Sequence, residues 1–221
     1  MLTVHHLNNS RSQRVLWLLE ELGVAYEIVR YQRQPDLRAP RELRAIHPLG
    51  KSPVLTDNGT TIAESGAIIE YIVDTYGHGR LIPPPKTPER LRYTYWLHYA
   101  EGSAMPPLLL KLLFTLMPKR APALLRPLVR KVSSQVLTAL VNPQLRQHMA
   151  FWEEELSKNE WFAGPEFTAA DIQMSFPLEA AAARAGLEDG HPKAMAFLDR
   201  IHARPAYQRA LEKGGPFALG K

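Results

Sequence analysis

The chain contains no cysteine. Disulfide staples, thiolate-ligated zinc and a cysteine nucleophile are therefore excluded. Long apolar runs are missing too. The most apolar stretch, Leu108 to Met117, holds Lys111 and lies between prolines, so it is too short to span a bilayer. The opening residues MLTVHHLNNSRSQR lack the apolar core of a signal peptide, and a cytoplasmic location is expected. One segment lacks acid: between Gly102 and Trp152 there are seven Lys/Arg and no Asp or Glu. Residues 1–80 carry nine basic and nine acidic side chains, so the whole +5 excess lies in 81–221. Such a bias suits nucleic acid, an anionic membrane or an acidic substrate. No nucleic-acid motif accompanies it, so no nucleic-acid partner is expected. Membrane contact by the basic 102–152 segment is a weaker reading than solvated helix faces.

What is present is ordinary in bulk. With 221 residues, 45% of them apolar and 22% charged, the chain is globular and long enough for one large domain or two modest ones. Leu2 to His6 reads as a strand. From Arg11 the apolar period becomes helical, through Val15, Leu16, Leu18, Leu19 and Leu22, and Gly23 ends it. Ala25 to Tyr31 alternates as a second strand, parallel to the first across the intervening helix. Residues 36–46 hold one or two helical turns. In GKSPVLTDNGTTIAES, at 50–65, Asn58-Gly59 between β-prone runs predicts a hairpin, because both turn positions need positive φ. Ser65 then caps a helix that buries Ile68, Ile69, Ile72 and Val73.

After this β-α-β-α-β-β-α order, Gly77 to Pro85 reads as a linker. Beyond it only helices are expected: Pro88 to about Leu116 with a kink at Pro106-Pro107, a proline-punctuated insertion over 118–142, a helix over 144–158, one after Thr168 in a Thr168–Asp171 capping box, and two more near 191–203 and 205–213. The division is 1–77, a linker at 78–87, and 88–221.

This arrangement resembles the cytosolic glutathione transferase family. The likeness rests on SRSQRVLWLLEELGVAYE at 10–27, HPLGKSPVL at 47–55, AESGAIIEYI at 63–72 and FTAADIQM at 167–174. It implies an α+β fold: a thioredoxin-like N-terminal domain followed by an all-α domain. Serine followed by arginine at the first helix is similar to the serine-dependent classes, of theta-like, bacterial and fungal type. Tyrosine-dependent classes are disfavoured, since the first tyrosine is Tyr26.

The resemblance implies glutathione as co-substrate, a small hydrophobic electrophile as second substrate, a homodimer and no metal. Two tasks follow: holding a tripeptide in register, and stabilising a thiolate against an ordinary thiol pKa near 8.5. The family's cis proline maps to Pro53, which would present the Ser52 backbone to the cysteinyl part as in strand addition. Glu64 and Ser65 would take the γ-glutamyl end, Glu64 the ammonium and Ser65 the carboxylate at a helix N-terminus. Lys51 and Arg38 fall where cations meet the glycyl carboxylate, with Arg33, Arg41 and Arg44 as competitors of Arg38. Ser10 would donate to the sulfur at the first helix start. Asn9 and Ser12 compete there as plain caps. His5 and His6 read as structural. Tyr93, Trp96, Tyr99, Met105, Leu109 and Leu113 are acceptor-site candidates by spacing, although apolar helical stripes are usually core. The activities expected are conjugation to electrophiles or reduction of organic hydroperoxides. The rival is a non-catalytic binding module on the same fold, and retention of both Ser10 and the Glu64-Ser65 pair favours the enzyme.

Overall fold

The computed structural model describes residues 1–34 and 38–219. Its first 76 residues run β1 (Thr3–Leu7), α1 (Ser12–Leu22), β2 (Glu27–Tyr31), α2 (Glu42–Ile46), β3 (Val54–Asp57), β4 (Thr60–Ala63) and α3 (Ser65–Tyr76). The expected start of the α2 region reaches Asp36 and Leu37, which lie outside the described residues. The sheet order is β2-β1-β3-β4. β1 and β2 pair in parallel, Thr3 opposite Glu27 and Leu7 opposite Tyr31, while β3 is antiparallel to both β1 and β4. The hairpin forms as its turn chemistry demands, with Asn58 at φ 47° and Gly59 at φ 85°. Gly23 closes α1 in the left-handed region at φ 65°, where glycine carries no Cβ penalty.

The second part is helical. α4 (Pro88–Tyr99) leads through a π-helical turn, Ala100–Ala104, into α5 (Met105–Arg120). The irregularity therefore sits one turn before Pro106-Pro107, whose missing N–H groups leave carbonyls of that turn without their usual helical donors. The real break is at Ala121-Pro122. Beyond it a 3₁₀ turn (Ala123–Leu125), α6 (Arg126–Val136), a second π-helical turn (Leu137–Val141) and α7 (Asn142–Lys158) follow. Pro143 thus does not end the insertion but stands in the first turn of α7. α8 (Ala169–Arg184), α9 (Pro192–His202) and α10 (Pro205–Gly214) complete the chain.

Two packing arrangements position the site. α10 lies on α1: Trp17 meets Tyr207 edge-on at 5.2 Å, Arg204 pairs with Glu21 at 2.5 Å, and Arg209 and Lys213 both reach Glu20. The start of α8 is fixed by a capping box, Thr168 with Asp171. Asp171 does more than cap. Its Oδ2 accepts from the Thr168 N–H at 2.8 Å and its Oδ1 from the Phe162 N–H at 2.8 Å, tying the preceding loop to the helix. Burial, the largest influence, pushes its carboxyl up to about 7 against the pull of these donors. Asp171→Ala strands two buried N–H groups, so a loss of roughly 2 kcal/mol or more is expected in chemical denaturation. An unchanged midpoint would reduce Asp171 to a bystander.

Candidate functional site

The site is built where β1 meets α1. Ser10 is buried, and its Oγ accepts the Ser12 N–H at 3.2 Å, meeting an otherwise unpaired donor of the first helical turn. The same Oγ lies 2.8 Å from Ser12 Oγ and 3.5 Å from Ser52 Oγ. Ser12 is fully buried and committed elsewhere: its hydroxyl meets His6 Nδ1 at 2.8 Å and the Leu7 carbonyl at 3.3 Å. The Ser52 hydroxyl knits β1 to the next segment, accepting from the Leu7 N–H at 3.2 Å and donating to the His5 carbonyl at 3.0 Å. The Ser52-Pro53 peptide bond is cis. Among the described residues, the Ser52 main chain makes no hydrogen bond to another main chain.

Arg14 carries the second half of the site and went unnoticed in the sequence reading. It projects from the first turn of α1, wholly buried, and joins three elements. One nitrogen donates to the Gln173 carbonyl on α8 at 2.6 Å. The other donates to Ser65 Oγ at 2.9 Å and to Glu101 in the π-helical turn at 2.5 Å. Arg11 reaches the same carboxylate at 2.9 Å, and both guanidiniums lie over the Phe176 ring, at 5.1 and 5.2 Å. Burial pulls the Arg14 guanidinium down most strongly, while Glu101 opposes. Burial also works against the Glu101 carboxylate, yet Arg14 and Arg11 together hold it below the usual range. Ser65 therefore does not cap α3. Glu64 holds the cap position at φ 71°, Ser65 is the first helical residue, and its hydroxyl accepts from Arg14. A non-glycine residue at such a φ is uncommon and clusters at binding sites. A sequence signal for Arg14 existed: it is the one cation inside an otherwise apolar helix face, Val15 to Leu19.

The remaining candidates separate. Glu64 and Lys51 are exposed. Arg38 lies with Gln34, Arg41 and Arg44 around a separate small cleft. Tyr93, Trp96, Tyr99 and Met105 are buried in the core: Trp96 packs on Phe162 at 4.6 Å and on Phe151 at 5.3 Å, and the Trp152 ring N–H donates to Tyr99 Oη at 3.1 Å. Leu109 and Leu113 are about half exposed, at 50% and 52%. These two are the most exposed of the six acceptor-site candidates.

His6 is neutral. Burial pushes it down to about 4, helped by Arg30, with the Gly214 backbone opposing. Its folded pKa lies below the unfolded value near 6.5, so the unfolded chain binds the extra proton between those limits. That contribution is complete above pH 6.5 and is lost as pH falls towards about 4, to the extent of roughly 3 kcal/mol. Asp171, raised rather than lowered, runs the other way over much of the same window. The expected result is therefore read as a difference: wild type minus His6→Asn should lose stability as the pH falls from 6.5 to 4. Parallel curves for the two proteins would place the His6 ring in water.

The comparisons with known proteins bear on the family and the fold. The N-terminal domain model of glutathione S-transferases matches residues 1–74, and the C-terminal domain model matches 116–205. Glutathione S-transferase 3 of Schizosaccharomyces pombe is 36% identical over 213 residues, spanning 96% of this chain and 88% of that one. Glutathione S-transferase 1 of Saccharomyces cerevisiae is 35% identical over 223 residues, covering 96% and 95%. The chain belongs to the glutathione S-transferase family. A solved glutathione S-transferase from Actinobacillus pleuropneumoniae superposes with a TM-score of 0.80 at 33% identity, over 99% of this chain and 94% of that one. The fold is shared with a sphingomonad glutathione S-transferase solved with glutathione, TM-score 0.73 at 24% identity over 96% and 98%. The two matched domains and the curated relatives make the protein a glutathione transferase. The expected thioredoxin-like half and helical half are both present.

Proposed function

We propose that this glutathione transferase adds the glutathione thiolate to small hydrophobic electrophiles. The observation that carries the reading is the placement of Ser10: a buried hydroxyl whose oxygen already accepts the Ser12 N–H, at the N-terminal end of α1. With one lone pair occupied, its proton is the group left to offer. A sulfur anion there receives a charge-assisted hydrogen bond and the favourable end of the helix dipole. The free main-chain groups of Ser52 suit the cysteinyl part in a strand-like pairing.

The γ-glutamyl end would lie at the start of α3. The first N–H groups of that helix lack intrahelical partners, Ser65 Oγ is held by Arg14, and exposed Glu64 suits the ligand's ammonium. Lys51 remains the cation for the glycyl carboxylate, with Arg38 as the second. Glutathione in the sphingomonad structure supports the same occupancy here. The electrophile would enter from the side of Leu109 and Leu113. A homodimer fits the exposed Leu91 and Tyr95 on α4, and light scattering should give about twice the 25.0 kDa chain mass. Among the described residues no helix is long and apolar enough to cross a membrane, and a cytoplasmic location is part of the proposal.

Calorimetry with glutathione, followed by turnover with an aryl halide, an epoxide and an organic hydroperoxide, tests the reading. Binding with conjugation of either electrophile supports it. Binding without any turnover supports the non-catalytic module instead, and turnover confined to the hydroperoxide moves the chemistry to peroxide reduction.

A further inference from the structure

The last described residues return to the site. Gly214, the end of α10, lies hard against α1, since a Cβ there would stand 2.7 Å from Leu16 Cδ1. The chain then runs back to the loop before α1, where the Ala218 N–H donates to Asn9 Oδ1 at 2.9 Å. The Leu219 carbonyl accepts from Arg184 Nε on α8 at 2.9 Å. Between these ties, Phe217 places its ring 6.0 Å from that of Phe176. Phe176 is in turn the ring over which Arg11 lies at 5.1 Å. Asn9 and Arg11 are the residues on either side of Ser10. An aromatic pair and one guanidinium therefore share a corner with the hydroxyl that is offered to the sulfur.

The protein uses only part of Arg11. Its Nε donates to both oxygens of Glu101, at 3.0 and 2.9 Å. Among the described residues, neither terminal nitrogen makes a hydrogen bond. The side chain keeps 35% of its surface exposed, so a ligand can reach it. Arg11 and Arg14 share one carboxylate, and the group keeps one positive charge. Held by Nε and by the ring beneath it, the guanidinium is ordered before any ligand arrives. We propose that Arg11 is a further catalytic residue, donating to the oxygen of a conjugated carbonyl electrophile whose plane lies against Phe217 and Phe176. The inference rests on the proposed conjugation at Ser10 and narrows its acceptor to unsaturated carbonyl compounds. The thiolate adds to the β-carbon, and the carbon–sulfur bond forms. The alkene electron pair moves through the conjugated system, and the carbonyl oxygen gains the negative charge. The terminal N–H groups of Arg11 stabilise that charge as it develops. The enolate then takes a proton from water at the α-carbon, replacing the one lost when the thiol ionised. A saturated alkyl halide uses none of this, because its halide leaves with the charge and no oxyanion forms.

Benzylideneacetone and iodomethane are the paired probes, with steady-state turnover of glutathione measured on the full chain for each. Both need the thiolate, so the ratio of their rates cancels any effect of a variant on the sulfur or on folding. Arg11→Met should lower kcat with benzylideneacetone at least about tenfold more than with iodomethane. A fully enclosed oxyanion donor contributes about a hundredfold or more, and Arg11 is open to water. Arg11→Lys keeps a cation against Glu101 but loses the free fork. It should show the same selective loss, and it carries the test should Arg11→Met fold poorly. Phe217→Ala should raise KM for benzylideneacetone more than for iodomethane, which has no plane to lay against a ring. An unchanged kcat ratio in the Arg11 variants, whether both rates fall or neither does, assigns Arg11 to the thiolate or the fold and overturns the inference. An unaltered KM in Phe217→Ala overturns the placement of the electrophile. Wild-type protein that binds glutathione but turns over neither probe fails at the proposed conjugation itself, and the inference falls with it. Wild-type turnover of both probes with an unchanged ratio in the variants fails here alone.

Discussion

Glu101→Ala is expected to destabilise the fold by roughly 3–5 kcal/mol, because it leaves a buried arginine without its counter-charge. Arg14 has only 2% of its side chain exposed, and among the described residues Glu101 is its one carboxylate partner, at 2.5 Å. The Gln173 carbonyl and Ser65 Oγ remain after the change, but neutral acceptors do not replace a charge in a low-dielectric interior. Arg11 then repels Arg14 with nothing between them. A surface ion pair would contribute no more than about 1 kcal/mol, so the magnitude separates the two descriptions. Combining Glu101→Ala with Arg14→Met should recover much of the loss, since the uncompensated charge goes with the second change. A loss under about 1 kcal/mol in the single variant, or strict additivity in the pair, would show that Arg14 finds water.

The same pair has a pH signature. The Glu101 carboxyl is held below its ordinary range in the folded protein. Its contribution is therefore complete above the unfolded value near 4.3 and is lost as acid carries the pH down through the folded value. This is the acid limb that should disappear in Glu101→Gln. The ligand end is affected as well. Ser65 Oγ takes its proton donor from the nitrogen of Arg14 that also serves Glu101, so loss of the carboxylate frees Arg14 to shift away from Ser65.

Much of this architecture was legible in the chain, for identifiable reasons. Asn58-Gly59 admits one kind of turn, Gly23 one kind of helix end, and the apolar period of Val15 to Leu22 one buried face. These are local constraints, and local constraints survive folding. The misreadings arose where a residue's partner is distant in sequence. Ser65 looks like a cap because serine before an apolar helical run commonly is one. Its actual partner is Arg14, 51 positions away, and no spacing rule reaches that far. Pro106-Pro107 suggested a kink, yet the π-helical turn before them absorbs the irregularity and turns Glu101 towards Arg14. The aromatic stripe Tyr93, Trp96 and Tyr99 has the same helical spacing whether it lines a pocket or fills a core. The choice was made by Phe151, Phe162 and Trp152, which arrive from α7 and the loop after it. Ser10 stood out because the resemblance marks the serine at the first helix start, and the Ser12 N–H that it accepts is local.

Ser10→Ala is expected to lower turnover at neutral pH about tenfold or more while glutathione still binds. The chain of reasoning starts from hydroxyl occupancy. The Ser10 oxygen accepts the Ser12 N–H at 3.2 Å, and among the described residues its proton has the Ser12 and Ser52 hydroxyl oxygens within reach, at 2.8 and 3.5 Å. A thiolate outcompetes either, since a hydrogen bond to an ion is about twice as strong as one between neutral groups. If that bond is worth one to two pKa units, at about 1.4 kcal/mol each, the thiol of bound glutathione ionises about tenfold to a hundredfold more readily. Ser10→Ala forfeits the shift, and raising the pH should restore part of the rate. Ser12→Ala is a different substitution. Its hydroxyl is fully buried against His6 and the Leu7 carbonyl, so removing it should cost about 1 kcal/mol or more of stability. It leaves the Ser10 hydroxyl in place, so the bound thiol should move far less. The ultraviolet absorbance of the thiolate, followed against pH in both variants, decides between them. A larger shift in Ser12→Ala than in Ser10→Ala reverses the assignment. No shift in either leaves the N-terminal end of α1 alone to hold the sulfur, and the serine then has no part in activating it.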